Sequence, residues 1–269
     1  MKIAFTTLAC PDWNLDTILS EARRLGYQGV EIRGLDGEMR AERMPAFFAE
    51  NAEATKKLFA DSGIAIAGFG TSASFHDAAK FDDGVAEGKM AVDVCERMGI
   101  PGIRVFGDSI ADAGEREQVQ GRIQNGIRAI CEYARGKNIG VWLEIHGDMN
   151  TLENIMPVIY GLADCPEFGI VWDIGNSDMS YGDHWREFYA AIKPYIKHTH
   201  MKDQTRAGGF VGCPPGEGDI PVADIVKTLK RDGYDGWYSF EWEKKWHPEL
   251  AGPEEVLPGY IALMKQLLA

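Results

Sequence analysis

Eight short β-type runs, each followed by a longer helical pattern, constrain this chain more than any other feature. The runs are KIAFTTL (2–8), GVEIR (29–33), IAIAGFG (64–70), GIRVFG (102–107), VWLEIHG (141–147), GIVWDIG (169–175), IKHTHMK (196–202) and WYSFEWE (237–243). Such alternation predicts βα units wound into a parallel sheet. The intervening stretches carry the helical period: Val119, Ile123, Ile127 and Ile130 form one apolar stripe, and Val256, Tyr260, Met264 and Leu267 another. Two units enter their strands through the same phrase, Gly26-Tyr27-Gln28-Gly29 and Gly233-Tyr234-Asp235-Gly236. Its first glycine suits a helix ending in the left-handed conformation. An open doubly wound sheet would offer a glycine-rich phosphate loop after strand one, but that position reads Thr6-Thr7-Leu8-Ala9-Cys10-Pro11. The 269 residues match the roughly 250 of a one-domain barrel, and no low-complexity linker divides them. The expectation is a single (β/α)₈ TIM barrel over residues 1–269.

Charge narrows the partners. With 28 basic and 41 acidic residues the net charge is −13, which argues against nucleic acid or an anionic membrane. Cys10, Cys95, Cys131, Cys165 and Cys213 are odd in number and never form a Cys-x-x-Cys pair. They read as reduced thiols. The opening MKIAFTTLACPDW is too short in apolar residues for a signal peptide, and no segment approaches the roughly 18 apolar residues of a membrane span. These features predict a cytoplasmic protein.

Strand parity then picks out a site. Side chains alternate faces along a strand, so Trp142, Glu144 and His146 oppose Val141, Leu143 and Ile145. Val171 and Asp173 oppose Ile170, Trp172 and Ile174, and Glu241 and Glu243 oppose Tyr238, Phe240 and Trp242. The apolar faces pack on helices, which turns the charged residues into the barrel, late in their strands, where barrel enzymes keep their chemistry. Glu144, Asp173, His200 and Glu241, one from each of the last four strands, thus converge on one point. Three carboxylates and an imidazole form a hard, oxygen-rich ligand set for one divalent ion, Mn²⁺ first, with Mg²⁺, Co²⁺ or Zn²⁺ as alternatives. The bland alternative is a buried ion-pair network with Arg33, Arg104 and Lys202 as counter-charges.

Glu144-Ile-His146, Asp173-Ile-Gly-Asn176, His200-Met-Lys202-Asp203 and Gly233-Tyr-Asp-Gly236 followed by Glu241 resemble the sugar phosphate isomerase/epimerase family, the xylose-isomerase-like barrels. The resemblance runs from Gly26 to the last helix. It implies that Glu144, Asp173, His200 and Glu241 bind one divalent metal, that the two glutamates transfer protons, and that the chain forms a dimer or tetramer. Arg206, six residues after His200, fits the substrate arginine of the ketose 3-epimerases. Asn176 stands where those enzymes carry histidine, and Asn150 where they carry glutamate. Gly216-Glu217-Gly218-Asp219-Ile220 resembles the loop after strand seven in many members.

The function expected is isomerisation or epimerisation of a sugar or sugar derivative, by proton transfer beside a carbonyl through an enediolate. The alternative is a lyase on a keto-sugar, keto-inositol or dehydroshikimate-like substrate, in which a β-hydroxyl leaves after the same abstraction. An abasic-site nuclease would need more histidines than six and a basic surface. The further substrate contacts expected are His146, Asn176, Lys202, Arg206 and Arg104. Each has a plain structural counterpart. His146 and His198 are hydrogen-bonded interior histidines, Asn176 a helix cap, Lys202 an ion pair with Asp203, and Arg33 and Arg104 counter-charges to Glu31. Trp13, Phe69 and Phe106 either stack on a sugar ring or pack, with packing the default. His76, His184 and His247 have no evident partner and read as surface.

Overall fold

The computed structural model describes residues 1–209 and 211–269. Eight parallel strands close a barrel: β1 (Ile3–Thr6), β2 (Gly29–Ile32), β3 (Ala65–Ser74), β4 (Gly102–Phe106), β5 (Gly140–Glu144), β6 (Phe168–Asp173), β7 (Ile196–Met201) and β10 (Tyr238–Phe240). Their order around it is β1-β10-β7-β6-β5-β4-β3-β2. The expected (β/α)₈ TIM barrel is the fold. Between β7 and β10 a small antiparallel hairpin, β8 (Asp203–Thr205) and β9 (Val211–Cys213), was not foreseen. Its strands are three residues each, too short for a period to register in sequence.

Most barrel strands are shorter than the sequence runs suggested. The run 169–175 stops at Asp173 because that side chain caps α6 (Ile174–Tyr181), accepting from the Asn176 backbone N–H. The run 64–70 instead continues to Ser74. The repeated phrase behaves alike in both units: Gly26 (φ 87°) ends α1 (Leu15–Leu25), and Gly233 (φ 80°) follows α8 (Val222–Arg231), both left-handed. On α4 (Arg116–Ala134) the predicted stripe Val119, Ile123, Ile127 and Ile130 is buried. On α9 (Pro253–Leu268) Leu268 takes the buried end position expected of Leu267.

Two features of the interior place the site. Low in the barrel the Trp142 indole lies over the backbones of Gly102 and Gly140, where a Cβ would collide with it. The indole thus occupies the barrel interior below Glu144, the next inward residue of β5. Between β6 and β7 the register slips at Ile170/Val171, so Asp173 pairs with His200 instead of Thr199. A one-residue slip exchanges faces, so this irregularity turns both side chains inward together. The five cysteines are free, and no described helix is long and apolar enough to cross a membrane.

Candidate metal centre and active site

At the C-terminal end of the barrel four side chains from four consecutive strand positions meet. Glu144 ends β5, Asp173 ends β6, His200 lies in β7, and Glu241 directly follows β10. The Glu241 backbone N–H still donates to the Met201 carbonyl at 3.0 Å, so the ladder continues and fixes it. One donor atom from each of the four lies within 4.8 Å of the others. His200 Nδ1 faces Glu241 Oε1 at 3.3 Å, Glu144 Oε1 at 3.4 Å and Asp173 Oδ2 at 3.9 Å. It is buried and makes no hydrogen bond. A buried ring nitrogen without a hydrogen bond, ringed by three carboxylate oxygens, is the arrangement a divalent cation satisfies. The donor set fits the ion that the sequence implied.

Charge around the centre is layered. Behind His200, Nε2 bonds Glu31 Oε1 at 3.0 Å, which leaves Nδ1 as the nitrogen facing the cluster. The second oxygen of Glu31 takes His198 Nε2 at 2.8 Å and the Ser239 hydroxyl at 2.7 Å. Arg104 Nε lies 3.0 Å from Glu144 Oε2. Lys202 Nζ reaches Glu241 (2.6 Å), Asp173 (2.8 Å) and Glu243 (2.9 Å). Burial pushes the Glu144 carboxyl up, but the Arg104 and His200 charges outweigh it and the net shift is down. Glu241 falls well below its usual range, since His200 and Lys202 overcome burial there too. Asp173 goes the other way: burial outweighs Lys202, and Glu241 and Glu144 add to it, so the group is pushed up to about 7. Burial lowers His200, but Glu241, Glu31 and Glu144 lift it well above the usual imidazole value.

A family model described as the xylose isomerase-like TIM barrel matches residues 19–266. The chain belongs to that family. It is similar to the L-ribulose-5-phosphate 3-epimerase UlaE of Salmonella heidelberg, with 26% identity over 231 residues, 83% of this chain and 80% of that protein. Among solved structures it superposes on the IolI protein with a bound zinc atom (TM-score 0.80, 17% identity, 100% of this chain and 98% of that one). It also superposes on the probable 3-DHS dehydratase AsbF from Bacillus anthracis (TM-score 0.80, 18% identity, 98% and 99%). At these identities the two structures speak for the fold alone.

Several side chains of this xylose isomerase-like barrel sit differently from expectation. Asn176 is not the helix cap, because Asp173 does that work; its own amide Nδ2 is buried without a hydrogen bond. Lys202 does not pair with Asp203. Asp203 instead accepts the backbone N–H groups of Gly216, Gly218 and Ile220 and so shapes the loop after β9. Arg206 is bound by Asp178 on α6 (2.7 and 3.0 Å) and by Asp183 (3.0 Å). Glu31 is balanced by His198 and His200, not by Arg33 and Arg104. His198 is the interior structural residue foreseen, with its ring stacked on Trp142 at 5.6 Å. Phe69 packs edge-on against Phe47, and Phe106 lies under the Arg104 guanidinium at 3.8 Å.

On the other flank His146 Nδ1 bonds Asp108 Oδ1 at 2.8 Å, and its ring lies against Phe106. His76 also has a partner after all: Nδ1 is 3.2 Å from the Ser74 hydroxyl and 3.7 Å from Asp108 Oδ2. It lies two residues beyond the end of β3, which runs on to Ser74. Outside the centre opens a cavity of about 430 Å³, whose walls include Asn176, Lys202, Glu241, Trp242, Glu243 and His247. His247 is exposed, as read from the sequence, and lies 3.7 Å from Glu243, four residues before it.

Proposed function

We propose that this chain is a divalent-metal-dependent sugar isomerase/epimerase. Glu144, Asp173, His200 and Glu241 hold the ion, and Glu144 and Glu241 carry the proton beside a substrate carbonyl. The observation that carries this reading is the buried His200 Nδ1, turned to three carboxylate oxygens between 3.3 and 3.9 Å away. An ion held there supplies Lewis-acid polarisation of a carbonyl oxygen and offsets negative charge that develops on it, with Mn²⁺ the best match to the oxygen-rich set.

The chain's own residues account for the remaining chemistry. Glu144 and Glu241 come from β5 and from the end of β10, with β6 and β7 between them. A small carbohydrate bound over the centre lies between the two. Both groups are held in the ionised form that removes a proton, Glu144 by Arg104 and His200, Glu241 by His200 and Lys202. When one glutamate has taken the carbon's proton, delivery of a different proton, which the opposite glutamate draws from solvent, inverts the carbon. Return of the abstracted proton by the same glutamate to the next carbon, with the hydroxyl proton passing to the former carbonyl oxygen, moves the carbonyl. Lys202 and Arg104 stand beside the negative charge of the enediolate. His146, oriented by Asp108, and Asn176, with a buried amide N–H₂ lacking a partner, contact substrate hydroxyls. Arg206 reaches substrate only by leaving Asp178.

The test is a panel of ketoses, ketose phosphates and keto-sugar acids in D₂O with Mn²⁺, read by proton NMR. An epimer, an aldose–ketose isomer and a dehydration product each leave a different deuterium pattern. Glu144→Gln and Glu241→Gln should each cut turnover by at least about a hundredfold, the low end for a lost acid–base group. With an epimerase substrate one of the two still exchanges the carbon proton without completing inversion. Stoichiometric metal with near-normal turnover in both variants would remove the two-glutamate mechanism.

A further inference from the structure

Two arginines stand side by side in the barrel wall next to Glu144. Arg33 follows β2 and Arg104 lies in β4; their residues are only 7% and 2% exposed. Both side chains cross over Gly70, where a Cβ would sit 2.5 Å from Arg33 Cδ and 2.9 Å from Arg104 Nη2. Only glycine leaves room for the pair. Arg33 Nη2 donates to the Ser72 hydroxyl at 3.0 Å, while its Nη1 is buried with no hydrogen bond. Arg104 turns Nε to Glu144 and has one face on Phe106, and its Nη1 is likewise buried and unbonded. Neighbouring buried guanidinia repel. Burial first, and the Arg104 charge second, push Arg33 down to about 9. Glu144 offsets part of this charge, but the two buried Nη1 donors stay without acceptors, which is costly unless something negative completes them.

We propose that Arg33 and Arg104 form an anion site beside Glu144 that takes a carboxylate of the substrate, so that the substrate is a keto-sugar acid. The proposal rests on the isomerase/epimerase reading of the neighbouring centre and adds the substrate class to it. A flat carboxylate suits the planar forks of two guanidinia, which bind it through paired N–H donors. Because Arg104 also touches Glu144, the bound acid group lies close to the carbon whose proton moves. A phosphate at the far end of a sugar chain would point instead into the outer cavity. There it meets the carboxylates of Asp203, Glu241, Glu243 and Glu249, and the lysine beside them, Lys202, is already held by three carboxylates.

The experiment compares three probes on the metal-loaded full chain: a 2-ketohexose, its 6-phosphate and a 2-keto-hexonic acid. Binding is read by calorimetry and proton exchange by NMR in D₂O. The acid should bind at least about tenfold more tightly than either other probe. In Arg33→Gln the acid-over-ketose affinity ratio should fall about 10- to 100-fold, the span for a lost charged hydrogen bond. Arg33→Lys, which keeps the charge and loses the fork, should fall between; it also serves if the glutamine variant does not fold. Equal affinity for acid and ketose, preference for the phosphate, or a ratio unmoved by both variants overturns the proposal. Turnover of the ketose without acid preference sinks this proposal and leaves the isomerase/epimerase reading standing. Arg33-dependent binding of the acid without proton exchange on any probe does the reverse.

Discussion

Two histidines on β7, two residues apart, grip the two oxygens of one carboxylate, and above and below that grip their surroundings diverge. His198 bonds Glu31 Oε2 and lays its ring on Trp142, deeper in the barrel. His200 bonds Glu31 Oε1 and turns its other nitrogen to Glu144, Asp173 and Glu241. Residue type, strand, face and partner are shared; only depth differs. In a (β/α)₈ barrel depth decides function, since the lower layers are packing and the upper rim is where loops admit substrate. Glu31 joins the layers, anchored below by His198 and Ser239 and orienting His200 above.

The largest effect separates the two histidines. His200→Ala should abolish stoichiometric metal binding by the purified protein supplied with Mn²⁺, while circular dichroism still shows the fold. His198→Ala should keep the metal and lose stability instead, by about 1–3 kcal/mol, because a Glu31 oxygen is left underbonded in the interior. Metal analysis beside thermal melts reads both. Loss of metal in a folded His198→Ala protein would erase the distinction drawn from depth.

A smaller effect tests the join. Glu31→Gln keeps the shape of the side chain and removes the charge that holds His200 Nε2. Metal affinity, measured against a competing chelator, should fall about 10- to 100-fold, as when other carboxylates behind a ligating histidine are removed. An unchanged affinity would show that β7 alone orients His200.

Glu31 also marks where reading the sequence stopped. Strand parity alone brought Glu144, Asp173, His200 and Glu241 to one end of the barrel, because alternation along a strand is a local property. Glu31 lies on β2, far along the chain and separated from β7 around the barrel by β1 and β10. Nothing local ties it to β7; closure of the barrel does. The register slip between β6 and β7 was equally hidden, yet parity survived it because the slip turns Asp173 and His200 inward together. Two further partners, Glu243 for Lys202 and Asp178 for Arg206, were hidden for a different reason. Glu243 and Asp178 follow β10 and β6 in separate segments, whose approach depends on backbone paths that no periodicity encodes. The Gly26 and Gly233 helix ends were legible because a left-handed turn leaves its requirement on a single residue.

The smallest effect lies on the early flank of the rim, where Asp108 holds His146 and faces His76. Asp108 sits at φ 55°, a left-handed conformation that aspartate and asparagine tolerate better than most residues. Asp108→Asn therefore removes the charge without straining the turn. Burial raises the Asp108 carboxyl, but the hydrogen bond and charge of His146, the charge of His76 and the Ser74 hydroxyl carry it below its ordinary value. A depressed carboxylate contributes stability that is fully present above its unfolded value, about 3.9, and is lost as pH falls through the lower folded value. The stability gap between wild type and Asp108→Asn should thus be steady from about pH 5 to 6 and shrink below about pH 4. It should stay under about 1 kcal/mol, since the side chains are 23% and 45% exposed and solvent screens them. Denaturant titrations across that range measure it. A gap that widens towards acid would mean that Asp108 is protonated in the fold, and that Ser74 rather than the histidines holds the early rim together.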